Sequence, residues 1–254
     1  MRKVYVIGIG AGNPEYITVQ AVKALNQVDV FFFPDKGEAK EELVRLRKEI
    51  CGRYIENPRY RIVEAVDPVR DPAIEDYTER VEHWHHQRLL LYEELLQREL
   101  GKGQCGGFLV WGDPSLYDST LRIIHQLTAR ENITFDYEVI PGITSIQALA
   151  AGHKIPLHGI GESVLITTGR NLVNDLSTRE DNTIVMLDGQ CAFKNIPDDD
   201  LTIFWGAYLG MEDEILVSGT LSETSEKIEA VRNEERARKG WIMDTYLLSK
   251  RKLQ

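Results

Sequence analysis

Cysteine is scarce in this chain of 254 residues: Cys51, Cys105 and Cys191 are odd in number and far apart. Such spacing supplies neither a disulfide framework nor the ligand pairs of a structural metal site. Blocks of positive charge are scarce too. Thirty Lys and Arg stand against 40 Asp and Glu, a formal net charge of −10, and the longest basic run is Lys250-Arg251-Lys252. Phosphate-backbone binding relies on clustered cations, so nucleic acid is not an expected partner, whereas a local Arg/Lys pocket for a small polyanion remains compatible with the overall charge. No stretch approaches the roughly 18 uncharged apolar residues of a membrane span. The apolar run in Met1-Arg2-Lys3-Val4-Tyr5-Val6-Ile7-Gly8 is too short for a secretory leader and no small-residue cleavage site follows. A cytoplasmic protein that does not associate with membranes is the expectation. Repeats and low-complexity segments are absent as well.

What is present is an alternation of short β-branched or aromatic runs with helix-length segments. Residues 4–9, 28–33, 60–66, 108–111 and 135–140 predict strands of a first half, and residues 164–168, 184–187, 201–205, 215–219 and 243–248 those of a second. The fold class is α/β, as two domains. Between Ala73 and Leu100, Ile74, Tyr77, Val81, Trp84, Leu91 and Leu95 recur at helical spacing, and Gly101 and Gly103 supply a stop. Gly and Pro interrupt the pattern in Gly152–Gly159, which sets the expected domains at 1–156 and 157–254.

Four constellations carry chemical information. Gly8-Ile9-Gly10-Ala11-Gly12-Asn13-Pro14 follows the first strand directly, and glycine there lets backbone approach a ligand. A dinucleotide fingerprint requires a sixth-position glycine, where this chain has Asn13, and Pro14 breaks the expected helix start. Trp111-Gly112-Asp113-Pro114-Ser115-Leu116-Tyr117 also stands at a strand end, where open α/β sheets place ligands, although taken alone a plain type I turn with Pro at its second position is the better reading. Val139-Ile140-Pro141-Gly142-Ile143-Thr144-Ser145 is a strand, a turn and a Thr/Ser pair that would otherwise cap a helix. In the second half stand Ile184–Gly189 and Trp205–Gly210, with Met186 on an apolar strand where a core role competes with a ligand role.

In this order and spacing the four resemble the tetrapyrrole (corrin/porphyrin) methyltransferases along nearly the whole chain. The resemblance implies two α/β domains with a cofactor cleft between them, S-adenosylmethionine as cofactor with S-adenosylhomocysteine as its product, an anionic tetrapyrrole as substrate, and a homodimer. Carried over by position, the cofactor contacts are Gly10, Gly12 and Pro14 from the glycine loop, then Trp111, Gly112, Asp113, Leu116, Thr144 and Ser145, with Met186, Ala207 and Gly210 from the second half. Asn13 departs from the Asp common in the family. Within the family, Phe33–Gly37, Leu43–Arg47, Val66–Pro72 and the long helix look like a member of cobalamin biosynthesis that methylates precorrin-5 at carbon 1 and releases its acetyl group as acetate. A corrin methyltransferase without deacetylation is the alternative, and from another class a nucleotide-binding oxidoreductase, which would explain the glycine loop alone.

Methyl transfer to an electron-rich carbon needs alignment and exclusion of water, which backbone and small residues supply. Acetate release needs a base for water and a donor for the oxyanion. Asp35, beyond a strand end, is the candidate base, with helix capping or plain solvation as its competing roles; Tyr117 is the candidate oxyanion donor, although a buried, hydrogen-bonded tyrosine is the more usual role. His83, His85 and His86 lack the spacing of a zinc motif, and no metal is expected. Arg70, Arg122, Lys154 and Arg170 are candidate partners of substrate carboxylates, although isolated basic residues are commonly surface charges.

Overall fold

The computed structural model describes residues 1–35, 41–174, 181–197 and 200–250, the side chains of Asp35, Glu41 and Asn174 excepted. Two compact units form. One comprises Met1–Gly10 with Pro14–Thr144, the other Ala11–Asn13 with Ser145–Gln254.

The first unit is a parallel sheet in the order β3-β2-β4-β1-β5, made of Arg2–Gly8 (β1), Val30–Asp35 (β2), Arg61–Val66 (β3), Cys105–Val110 (β4) and Phe135–Ile140 (β5). Alternate side chains of a strand leave opposite faces, and here both faces are apolar. Val4, Val6, Val30 and Phe32 meet Leu89, Tyr92, Ile123 and Leu127 on one side. Those four come from Tyr77–Glu99 (α3) and Thr120–Arg130 (α4). Tyr5, Ile7, Phe31 and Phe33 meet Ala21, Leu25, Leu46 and Ile50 on the other, from Val19–Leu25 (α1) and Glu41–Tyr54 (α2). Burying a large apolar side chain of this kind contributes about 1.5–3 kcal/mol, so the run Val30-Phe31-Phe32-Phe33 alone anchors both layers. The long helix begins later than its apolar periodicity suggested. Asp76 caps it by accepting from the Glu79 N–H at 2.8 Å, which leaves Ile74 outside the helix.

The second unit is a mixed sheet in the order β6-β7-β10-β8-β9, from Leu165–Thr168 (β6), Asn182–Met186 (β7), Thr202–Ala207 (β8), Ile215–Thr220 (β9) and Asp244–Ser249 (β10). Only β6 and β7 run parallel; β10 lies antiparallel between β7 and β8. Ser145–His153 (α5) and Leu221–Lys239 (α7) pack on this sheet, and Gly169–Asn174 (α6) follows β6. The helix α5, within the expected first domain of 1–156, groups with the second unit because Ala148 and Leu149 are buried where it packs on β8 and β10. Gly206 shows the closeness of that packing: a Cβ there would stand 2.9 Å from Leu149 Cδ1.

Candidate functional site

In the first unit β1 lies between β4 and β5, so the segments after Gly8, Val110 and Ile140 leave the sheet at one edge. They interlock through backbone. The Ile9 N–H donates to Val110 O at 2.9 Å, and Gly10 and Gly112 exchange hydrogen bonds of 3.3 and 2.9 Å as an isolated antiparallel bridge. Both glycines are left-handed, at φ +86° and +67°. A Cβ on Gly142 would stand 2.1 Å from Gly112 O, and one on Gly8 2.6 Å from Gly142 N. Three of the motifs read from the sequence are thus one junction, packed main chain against main chain.

Asp113 fastens this junction. One carboxylate oxygen accepts from the Gly142 N–H at 2.9 Å, the other from the Ser115 N–H at 2.8 Å and from the Ser115 hydroxyl. Partial burial works against its charge, but the hydrogen bonds from Ser115 and Gly142 outweigh it and hold the carboxyl below its ordinary range. Thr144 is buried, its Cα 3.8 Å from where a Gly112 Cβ would lie. Half-buried Trp111 packs against the core on the α1/α2 side. Tyr117, 46% exposed, is held at φ +52° just after Leu116, and partial burial raises its phenol. Asp35 ends β2 opposite Val66 in register, at the same C-terminal edge of the sheet, while its side chain, like Lys36 to Lys40, lies outside the described residues.

In the second unit Met186 and Ser145 meet at a residue that sequence reading missed. Thr245, 3% exposed, pairs with Met186 across β7 and with Gly206 across β8, and its hydroxyl lies 2.9 Å from that of Ser145. Ala207 pairs with the neighbouring Asp244. Gly12 sits against the turn that carries Gly210: a Cβ there would stand 2.6 Å from Leu209 O. Two strained residues follow the strand ends, Leu187 at φ +54° after Met186 and Tyr208 at φ +52° after Ala207. Such strain persists only where surroundings over-determine it. Here Asp188 accepts from the N–H groups of Gln190 and Ala192 at 2.9 and 2.6 Å and from the Tyr246 hydroxyl at 2.7 Å. Arg232 donates to Asp188 O at 2.7 Å and to Asp244 at 3.0 Å. Tyr208 is pinned by its N–H on Met243 O at 3.0 Å and its hydroxyl on Trp241 O at 2.7 Å.

Among the described residues no group of three or more His, Cys, Asp or Glu could hold a metal ion, and no helix is long and apolar enough to cross a membrane. His85 lies on α3 with its ring 5.0 Å from that of Trp84. In the first unit the edge formed by the segments after Gly8, Val110 and Ile140 presents backbone amides, carbonyls and glycines, a surface suited to holding a polar ligand by main-chain contacts.

The model of the Tetrapyrrole (Corrin/Porphyrin) Methylases matches residues 3–225. The chain belongs to this family of methyltransferases, and its two sheets are those of the fold. Among individual relatives, it is 50% identical to the precorrin-6A synthase [deacetylating] of Sinorhizobium sp, over 98% of this chain and 96% of that protein. A cobalamin synthesis related protein (CobF) from Corynebacterium diphtheriae superposes with a TM-score of 0.85 at 38% identity, covering 98% and 99% of the two chains. The uroporphyrin-III C-methyl transferase of Thermus thermophilus, complexed with S-adenyl homocysteine, superposes with a TM-score of 0.60 over 97% of each chain; at 18% identity that likeness speaks for the fold.

Proposed function

We propose that this chain is the deacetylating methyltransferase that converts precorrin-5 to precorrin-6A in cobalamin biosynthesis, methylating carbon 1 and releasing the acetyl group as acetate. The observation that carries the reading is the 50% identity to a precorrin-6A synthase over 98% of the chain. The member-specific segment supports it locally: Asp67 is buried and bonded to Arg88 of α3 at 2.7 Å, so that stretch is built into the first unit.

The residues fit S-adenosylmethionine on one structural ground: the Gly8, Gly112 and Gly142 junction leaves no room for side chains and presents main-chain groups at a sheet edge. When bound, that cofactor supplies an electrophilic methyl group. Gly10, Pro14, Trp111, Gly112, Asp113, Leu116 and Thr144 from the first unit, with Gly12, Ser145, Met186, Ala207 and Gly210 from the second, hold it in this reading. Asp113 acts by fixing the Gly142 turn, since its carboxylate is engaged there. The first unit provides the tetrapyrrole side and the second completes cofactor binding. Asp35 takes a proton from the water that adds to the acetyl ketone, Tyr117 donates a hydrogen bond to the resulting oxyanion, and cleavage of the carbon–carbon bond returns its electron pair to the macrocycle as acetate departs. The resemblance also supports a homodimer acting in the cytoplasm on a small-molecule tetrapyrrole, with neither nucleic acid nor membrane as a partner.

Incubation with precorrin-5 and S-adenosylmethionine, followed by mass spectrometry, tests the reading. A methyl gain with one acetate per turnover is expected. A methyl gain without acetate favours a corrin methyltransferase lacking deacetylation, and tight NAD binding with no response to S-adenosylhomocysteine sinks the methyltransferase reading altogether.

A further inference from the structure

On the first unit, two arginines stack on one indole. The Arg70 guanidinium lies 4.8 Å from the centroid of the Trp84 ring and that of Arg88 5.0 Å from it. Arg88 is spoken for: it donates to Asp67 at 2.7 Å, to the Tyr92 hydroxyl at 2.8 Å and to the Ser119 hydroxyl, and is buried. Trp84 is fixed in turn by its indole N–H on Pro68 O at 2.6 Å. Ser119 is the N-cap of α4, and Arg122 stands in the first turn of that helix. Arg70 and Arg122 are exposed, and among the described residues neither has an ion-pair partner. Several other exposed arginines pair with acids, as in Arg53 with Glu49, Arg61 with Glu99, and Arg98 with Glu94, while Arg59 and Arg236 show no ion pair among the described residues. His85, beside the same indole, has its pKa lowered by burial and then by Arg122, Arg88 and Arg70, which puts all three arginines in one local field. The acids of that field, Asp67 and Asp118, are committed, the first to Arg88 and the second to the Thr120 N–H at 2.6 Å. Val66 and Val69, 80% and 82% exposed, add apolar surface on the segment that carries Arg70.

We propose that Arg70 and Arg122 bind a side-chain carboxylate of the tetrapyrrole, with Trp84 and the internally paired Arg88 as a rigid floor and Val66 and Val69 as apolar neighbours of the macrocycle. A planar guanidinium already immobilised on an aromatic ring loses little freedom on pairing with a carboxylate. In a chain of net charge −10, a surface with two unpaired cations suits an anionic ligand that also has an apolar body. The assignment rests on the reading of the substrate as an anionic tetrapyrrole.

The test is binding of uroporphyrin III, a polycarboxylate probe, followed by fluorescence, together with the KM for precorrin-5. Arg70→Gln and Arg122→Gln should each weaken both by about tenfold or more, the scale of one lost charge-assisted hydrogen bond. Their kcat and S-adenosylhomocysteine affinity should stay unchanged, and Arg53→Gln, at a distant surface pair, should match wild type. With the carboxylates of the probe converted to amides, wild type and variants should converge. Wild-type probe affinity in both variants overturns the proposal, and a wild type that binds no tetrapyrrole overturns it along with the functional reading. Arginine-dependent probe binding without methyl transfer to precorrin-5 sustains the anchor and overturns only the reaction.

Discussion

Asp113 shows how one side chain ties two strand ends together, because its two oxygens hold Gly142 and Ser115 at once. Asp113→Ala leaves the Gly142 N–H without that partner, a loss of about 1–3 kcal/mol. S-adenosylhomocysteine affinity should therefore fall by about tenfold or more, and Tm by several degrees, while circular dichroism still reports a folded chain. Calorimetric titration with a thermal scan checks this, and unchanged affinity would mean that the carboxylate only shapes a turn. The pH dependence has a definite sign. A carboxyl depressed in the fold contributes stability above its ordinary pKa and loses it as pH falls through the lowered value, so the brace should persist down to about pH 4 and fail in stronger acid. Asp35→Asn probes the other half of the chemistry. If Asp35 is the base, acetate release should slow by about a hundredfold or more while methyl transfer largely continues, and a methylated, still acetylated tetrapyrrole accumulates. Native acetate release removes Asp35 from that role, and joint failure of both steps makes it a residue that positions the macrocycle.

Among the elements, the strand ends of the first sheet tolerate less change than its helices. Gly142→Ala forces a Cβ to within 2.1 Å of the Gly112 carbonyl oxygen, a backbone atom that no rotamer change can move. The junction must open, and loss of cofactor binding with a Tm lower by about 5 °C or more is expected. Gly52, inside α2, has nothing within 4 Å of an added Cβ. Gly52→Ala should instead stabilise by roughly 0.5–1 kcal/mol, through helix propensity. Differential scanning calorimetry of the two variants compares them directly, and equal shifts in both would refute the junction as the constrained element.

For the whole molecule, occupancy of the cofactor site should raise the stability of the fold by mass action. At a ligand concentration about 100 times its Kd the gain is roughly 2.7 kcal/mol, which for a chain of this size raises Tm by about 5–10 °C. S-adenosylhomocysteine should produce that shift and NAD should not; a thermal scan with each ligand decides. All ten strands among the described residues were legible in the sequence, because runs such as Val30-Phe31-Phe32-Phe33 admit few conformations other than a strand covered on both faces. The glycine and proline motifs were legible too, since Gly10 and Gly112 occupy left-handed backbone that other residues enter only under strain. Strand alternation tells which face a side chain takes but not which strand lies beside it, so the antiparallel insertion of β10 between β7 and β8 was decided by tertiary packing. The same holds for Thr245, whose hydroxyl meets Ser145 across 100 positions of chain, and for Arg70, which differs from any surface arginine only once Trp84 is folded beneath it. Local chemistry is written in neighbouring residues and can be read there, whereas a contact between distant segments carries no local signature and exists only when the chain has closed on itself.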